Sequence, residues 1–161
     1  MKLYVNEKLF SLHRKFYITN ENKETLYEIS SMVLSIGDAT TINDKEGNKV
    51  AYINQEIFHL SPTYGVYIDG KLSFKIKKNI IFNDYTLSNG YRVDGNLLMF
   101  DFCVFDDKGN KIGSIQRKLF TIGDEYEIDI IDESKKNIIL SIIVATINDV
   151  NRLQRRRFND D

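Results

Sequence analysis

One segment near the C-terminus of this 161-residue chain carries apolar residues in every direction, and it limits the possible folds more than any other. β-Branched residues fill seven of the ten positions from Ile138 to Ile147, which by propensity favours a strand. Strands rarely exceed ~10 residues, however, and this pattern continues through Val150 and Leu153. We therefore predict a helix, and a helix that is apolar all round must be enclosed on all sides.

The ends of this helix can be placed from charge and capping. Asp132 or Ser134 can cap its start, so we expect the helix to span about residues 134–151. The arginines at 152 and 155–157 suit a helix C-terminus, and residues 152–161 are predicted to form an Arg-rich tail after a single domain of residues 1–151. A membrane span needs ~20 apolar residues, so the ten-residue run is predicted to be buried within the protein.

The rest of the chain repeats a unit of about two dozen residues. Each unit reads as an apolar turn, an alternating strand, a polar turn and another strand, and the units begin near Leu9, Val33, Ile57 and Leu119. Within Leu72–Lys77 the residues Leu72, Phe74 and Ile76 are expected to face a core, with Lys75 and Lys77 outside. Alternation with one solvated face indicates antiparallel strands.

Turn residues separate these strands. Asp69-Gly70, Asn89-Gly90 and Asp94-Gly95 are dipeptides that accept positive φ in tight hairpins, and Asp44–Asn48 and Asp106–Asn110 are predicted to be longer hairpin loops. About a dozen short strands before residue 131 indicate a sandwich or a barrel. Since the helix must be enclosed, we predict a mainly β fold: a closed antiparallel β-barrel of about twelve strands that encloses the hydrophobic C-terminal α-helix.

Two segments carry a resemblance to a known family. The first comprises Val50–Gln55, Leu60–Tyr64 and Tyr67–Gly70. The second is Gln116–Asp129, which is followed by acidic residues and the apolar helix. In these segments and in the order of its elements the chain resembles the LURP-one-related (LOR) family, which shares the tubby C-terminal-like fold with tubby proteins and phospholipid scramblases. The resemblance implies a barrel of about twelve strands threaded by the helix, and tubby proteins are known as phosphoinositide-binding modules. The chain has no Trp, although the family often places Trp near the position of Leu119 to Ile122.

Composition excludes several functions. The 22 basic and 23 acidic residues give a net charge of −1, which argues against a nucleic-acid partner. Cys103 is the single cysteine, so neither an intrachain disulfide nor a cysteine-rich metal site is expected. Charged residues interrupt the N-terminal apolar residues within five positions, which predicts that no signal peptide is present. We expect a cytoplasmic protein, with the periphery of a membrane as one place of action.

Candidate catalytic residues are few. His13 and His59 lie in predicted turns and Cys103 in an apolar strand, where we expect it to be buried, so each is predicted to be dispensable for function. The paired carboxylates are adjacent in sequence, so they would not converge on one cleft. We predict no enzymatic activity, no metal site and no cofactor.

The remaining candidate site is basic. Four lysines cluster on one predicted hairpin arm: Lys71, Lys75, Lys77 and Lys78. They could form an ordinary solvated strand face, or a surface for anionic lipid head groups or a phosphorylated ligand. We favour a non-enzymatic binding module whose partner is an anionic phospholipid or a membrane surface. The alternative is a structural or protein-interaction domain, for which the sequence identifies no partner; an enzyme ranks last.

Overall fold

The fold is that of a computed structural model, which describes residues 1–6, 15–34, 37–118 and 125–159. Twelve strands in these residues form one sheet. Their bounds are β1 Lys2–Asn6, β2 Lys15–Thr19, β3 Thr25–Leu34, β4 Gly37–Asp44, β5 Lys49–Glu56, β6 Thr63–Ile68, β7 Lys71–Asn79, β8 Asp84–Leu87, β9 Arg92–Asn96, β10 Asp101–Phe105, β11 Lys111–Lys118 and β12 Glu125–Ile130.

Pairing of the first strand with the last curls the sheet into a barrel. The order is β8-β7-β6-β5-β4-β3-β2-β1-β12-β11-β10-β9, and every neighbouring pair is antiparallel. β1 joins β12 over its full length, from Lys2 opposite Asp129 to Asn6 opposite Glu125. The two ends of the order, β8 and β9, lie beside each other, so the barrel is nearly closed. The predicted antiparallel barrel of twelve strands is confirmed.

A single long helix, α1 (Lys136–Asn159), fills the barrel. Its middle is completely buried: Ile139, Leu140, Ile142, Ile143 and Val144 have no exposed surface. The chain enters it through a 3-10 turn, Glu133–Lys135, which is capped by the Asp132 side chain accepting from the Ser134 N–H. The predicted enclosed helix is therefore confirmed, and its all-round apolar sequence matches the inner faces of the strands.

The helix is longer than the sequence analysis predicted. It continues to Asn159, past the expected end at residue 151, so residues 152–159 of the predicted Arg-rich tail belong to its last turns. The residues after Asn151 include Arg, Leu and Gln, which are good helix formers, and the segment contains no Gly or Pro to stop it.

Because consecutive strands are antiparallel, their connections alternate between two ends of the barrel. At one end, which we call the turn end, lie residues 20–24, 45–48, 69–70, 88–91 and 106–110. At the other, which we call the loop end, the described connections are residues 57–62, 80–83 and 97–100. The helix begins at the turn end, directly after β12, and runs toward the loop end.

Most predicted turns lie at the turn end, as short polar hairpins. Asp69 and Gly70 both have positive φ, 51° and 74°, as the Asp-Gly signal requires. The Asp44 and Asp106 loops share one design, in which the Asp side chain accepts from the backbone N–H groups two and four residues later. The hairpin predicted at Asp94-Gly95 is wrong. Both residues belong to β9, and a Cβ at Gly95 would lie 2.7 Å from the Phe102 Cα, so glycine is needed there for close packing of strands.

The predicted alternation in β7 holds over most of the strand but fails at Leu72, which is half-exposed. Val66 pairs with Phe74 and Tyr67 with Leu72, so β7 carries one extra residue at Ser73. This bulge shifts the alternation and turns Leu72 away from the core, while Phe74 and Ile76 remain buried. Cys103, predicted to be buried, is only half-buried because Phe102 and Val104 occupy the inward positions of β10.

Several predicted features lie outside the described residues. They are His13, the apolar turns that begin at Leu9 and Leu119, and residues 35–36 of the turn that begins near Val33.

Packing of the helix against the wall of the barrel leads to the first prediction. Replacing Ile143 with Ala is expected to lower the free energy of unfolding by about 2–5 kcal/mol, because the buried site cannot collapse around the lost atoms. Urea unfolding followed by circular dichroism measures the change. Ile131→Ala is the matched control: its half-exposed side chain should contribute less than about 1 kcal/mol. Equal losses in the two variants would contradict an enclosed helix.

Candidate functional site

The four lysines predicted to form a basic surface do not share one face. Lys71 and Lys77 are exposed on β7, and Lys75 is partly exposed with its Nζ 2.7 Å from Glu56 Oε1. Lys78 is buried, because it continues the inward positions of Phe74 and Ile76. Lys78 therefore does not belong to the outer surface, and ligand binding by the other three lysines stays a prediction.

Lys78 takes part in a buried polar network centred on Asp149 of the helix. The Lys78 Nζ lies 2.7 Å from Asp149 Oδ2, and the Tyr85 hydroxyl donates to the same oxygen at 2.7 Å. The Tyr64 hydroxyl donates to Oδ1 at 2.5 Å, and Arg152 Nη2 donates to Oδ1 at 3.1 Å. The Asp149 side chain has no exposed surface, so four donors from β6, β7, β8 and the helix meet on one dry carboxylate.

Electrostatics keep this carboxylate charged. Burial acts to raise the pKa of Asp149, but the hydrogen bonds from Lys78, Tyr64 and Tyr85 outweigh it, and the pKa lies below its ordinary value. Burial, together with the adjacent Asp149 charge, raises the pKa values of Tyr64 and Tyr85, so both phenols stay protonated as donors. None of these three groups is therefore poised to exchange a proton near neutral pH.

Both cations of the network also lie over aromatic rings. The Lys78 Nζ is 5.6 Å from the centre of the Tyr85 ring, and the Arg152 guanidinium is 5.9 Å from that of Tyr64. The network therefore fixes the last buried turn of the helix to three neighbouring strands near the loop end. Its geometry suits a structural role, in which it holds the helix in place against these strands.

This network was not predicted from the sequence, although the sequence contains signals for it. Asp149 is the single acidic residue between Asn137 and Val150, and a charge on an enclosed helix requires a cation from the wall. Phe74, Ile76 and Lys78 are two residues apart, so alternation alone placed Lys78 inside. Grouping Lys78 with its sequence neighbours concealed that position.

Other polar groups form local ion pairs. His59 Nε2 lies 3.0 Å from Glu56 Oε2, and the hydrogen bond from Lys75 holds the pKa of Glu56 below its usual value. Lys135 bridges Asp106 and Asp132 at 3.2 and 3.3 Å, next to the start of the helix. In the part of the chain that the structure describes, no three His, Cys, Asp or Glu side chains are grouped so that they could hold a metal ion.

One shallow pocket of about 220 Å³ lies on the outside of the barrel at its turn end. Tyr52 and Tyr67 form part of its lining, with ring centres 6.0 Å apart, and the Lys49 Nζ lies 5.5 Å from the Tyr52 ring. Its volume is below the roughly 300 Å³ at which ordinary ligand sites begin. We therefore do not place the binding function there.

No helix within the described ranges combines the length and the apolar character needed to cross a bilayer.

Comparison with known proteins gives three matches. A family model described as LURP-one-related matches residues 1–147. YxjI, an uncharacterized protein of Bacillus subtilis (strain 168), is 24% identical over 153 residues, which cover 93% of this chain and 93% of YxjI. The X-ray structure of a protein from Arabidopsis thaliana superposes with a TM-score of 0.65 at 18% identity, covering 93% of this chain and 90% of the plant protein. The last match supports the fold, and none of the three indicates an enzyme family.

The Asp149 network gives the second prediction. Asp149→Asn leaves the Lys78 charge buried without a counter-charge, so the free energy of unfolding at pH 7 should fall by about 3–5 kcal/mol. Lys78→Met combined with Asp149→Asn should be more stable than Asp149→Asn alone, because no uncompensated ammonium remains; the amide oxygen still accepts from one tyrosine, and the other hydroxyl can accept from the amide N–H. Urea unfolding of the three proteins tests this.

The same variants test the sign of the pH dependence. A lowered pKa in the folded state stabilises the protein above the ordinary value of 3.8, and this contribution decreases as the pH falls toward the folded-state pKa. The stability difference between wild type and Asp149→Asn should therefore narrow at pH 3. A difference that is absent at pH 7, or that widens in acid, would contradict the assignment.

Proposed function

The chain belongs to the LURP-one-related family, and from this premise we propose that it is a non-enzymatic binding module for anionic lipid head groups or a phosphorylated ligand at the barrel surface. The family and its tubby-like fold suggest a binding domain.

The observation that carries the proposal is the filled interior of the barrel. The enclosed helix occupies the space where many barrels hold a ligand, and its central side chains are completely buried against the strands. In the buried cluster around Asp149, donors of the chain itself occupy both carboxylate oxygens, and the cluster connects structural elements. A ligand must therefore bind on the outside or at an end of the barrel.

The cations of β7 supply the recognition. Lys71 and Lys77 are exposed, and neither forms an ion pair with another residue of the described ranges. They are six residues apart, which is roughly 20 Å along a strand, so they cannot contact one phosphate group. Lys75, between them, shares its charge with Glu56. This spacing favours an extended anionic surface, such as a phospholipid membrane, over a small phosphorylated molecule.

The third prediction tests this electrostatic contribution. Replacing Lys71 and Lys77 together with Glu should weaken co-sedimentation with mixed phosphatidylcholine–phosphatidylserine vesicles at low salt by at least about tenfold, because each cation near an anionic surface contributes ~1 kcal/mol. Binding of the wild type should also decrease as salt is added.

The matched control is Lys108→Glu with Lys111→Glu, which makes the same charge change at exposed positions on or next to the 106–110 turn. It should retain wild-type binding, and all three proteins should keep the same melting temperature. An equal loss of vesicle binding in the two double variants would mean that net charge, and not the position of the lysines, causes the effect. Absence of wild-type binding to anionic vesicles would remove the lipid proposal and leave the protein-interaction domain as the leading alternative.

A further inference from the structure

Exposed apolar side chains are concentrated at the loop end of the barrel. Among the described residues, eight of the twelve large hydrophobic side chains that are exposed lie in its three described connections. Two of them, Phe58 and Leu60, are 98% and 102% exposed. We call this set the apolar rim, and its members are Ile57, Phe58, Leu60, Ile80, Ile81, Phe82, Leu98 and Met99.

The apolar rim occupies one continuous part of the loop end. Its three connections join β5 to β6, β7 to β8 and β9 to β10, which are successive strands once β8 and β9 lie side by side. The first connection is also tied to the end of β7, which leads into the second, since the Lys78 N–H donates to the Pro62 carbonyl at 2.9 Å. Five strand spacings give an arc of roughly 24 Å. The exposed side chains thus form one surface.

Charge separates this end from the opposite one. Residues 57–62, 80–83 and 97–100 contain no Asp, Glu, Lys or Arg. The five turns at the turn end contain three lysines, Lys23, Lys45 and Lys108, and six acidic residues: Glu21, Glu24, Glu46, Asp69, Asp106 and Asp107. The described connections of the loop end are thus uncharged, whereas the turns at the other end carry an excess of acidic residues, so an anionic surface is approached more favourably by the loop end.

Phe58 adds an independent sign of function. Its φ is 68°, in the left-handed region that is unfavourable for a bulky non-glycine residue. Its side chain is almost fully exposed, so packing within the chain does not compensate for the strained backbone. A residue that destabilises the folded chain in two ways, and protrudes, points to a contact outside the chain.

We infer that the apolar rim inserts into the interfacial region of a phospholipid bilayer, with the barrel standing on its loop end. The inference takes the membrane partner from the proposed function, but it rests on different residues and a different force. Apolar side chains on the tips of loops reach about 5–10 Å into the boundary between head groups and acyl chains.

The separate loops of the rim, and the cations on the elements that lead to it, favour a bilayer over a protein partner. The side chains of the rim lie on three separate loops, so each can enter a fluid bilayer independently of the others. The helix continues ten residues beyond Asp149 toward this end, roughly 15 Å. Arg155, Arg156 and Arg157 belong to these last turns of the helix.

In this orientation the lysines of β7 lie at different distances from the membrane. Lys77 pairs with Thr63, the first residue of β6, and so lies close to the loop end. Lys71 begins β7 at the turn end and would be roughly 20 Å farther from the membrane. With the rim inserted, the charge attraction that the proposed function assigns to both lysines falls mainly to Lys77, so Lys77→Glu should weaken binding more than Lys71→Glu does.

The fourth prediction uses the absence of Trp from the natural chain. Phe82→Trp places a single tryptophan on the apolar rim, and Ile131→Trp places one on a comparably exposed position at the turn end. With mixed phosphatidylcholine–phosphatidylserine vesicles, the emission of the Phe82→Trp protein should shift to shorter wavelength and be quenched by brominated acyl chains. The Ile131→Trp protein should show neither effect.

A loss-of-function variant completes the test. Phe58→Asn, Leu60→Ser and Phe82→Ser together should weaken vesicle binding by at least about tenfold, because each buried CH₂ contributes ~0.8 kcal/mol. Asn tolerates the left-handed backbone at position 58, so the melting temperature should not fall. Leu72→Ser with Ile131→Ser, which changes half-exposed apolar residues nearer the turn end, is the matched control and should bind like the wild type.

The outcomes separate this inference from the proposed function. Co-sedimentation of the Phe82→Trp protein without quenching by brominated lipid would overturn insertion of the rim and leave electrostatic binding by the lysines in place. Quenching at the rim with full binding of the Lys71→Glu and Lys77→Glu variants would support insertion of the rim, but it would overturn binding by the lysines and the ranking of Lys77 above Lys71. No vesicle binding under any condition would overturn both.

Discussion

Enclosure of the C-terminal helix by the barrel is the constraint on which the rest of the structure depends. The helix is apolar in every direction, so it is stable in water only when strands surround it, and the strands in turn need its side chains to fill a space that they cannot fill alone. Gly113 shows how close this contact is, because a Cβ there would lie 2.5 Å from the Ile139 Cγ2. Neither part is expected to fold independently of the other.

The polar network around Asp149 sets where that apolar contact ends. Three strands and the helix contribute donors to one carboxylate, directly beneath the loop end. Buried ion pairs give little net stability, but they favour one register because any shift leaves a charge unpaired. The network therefore fixes the height of the helix in the barrel, and with it the position of the helical turns that project beyond Asp149. In this way an interior contact determines what the loop end presents to a partner.

The fold could be predicted from the sequence because its signals are local and repeated. Alternation, Asp-Gly turns and an apolar helix agreed on one architecture. The errors were the end of the helix and irregular features such as the bulge at Ser73 and the close packing at Gly95. The candidate site was harder to predict, because it depends on which residues meet in space. Lys78 and Asp149 are 71 positions apart, and the apolar rim is assembled from three loops that become neighbours only when β8 approaches β9. Neither grouping has a signal within a short stretch of sequence.

Together these features describe a rigid, helix-filled barrel that acts from one end, and hydrogen–deuterium exchange on anionic vesicles tests that claim most directly. Amides of residues 139–150 should exchange slowly with or without vesicles, because the enclosed helix opens only when the barrel unfolds. Amides of residues 57–62, 80–83 and 97–100 should gain protection only when vesicles are present, while the turns at the opposite end should not change. Protection that appears at the turn end, or exchange in the helix that changes when vesicles are added, would contradict the account.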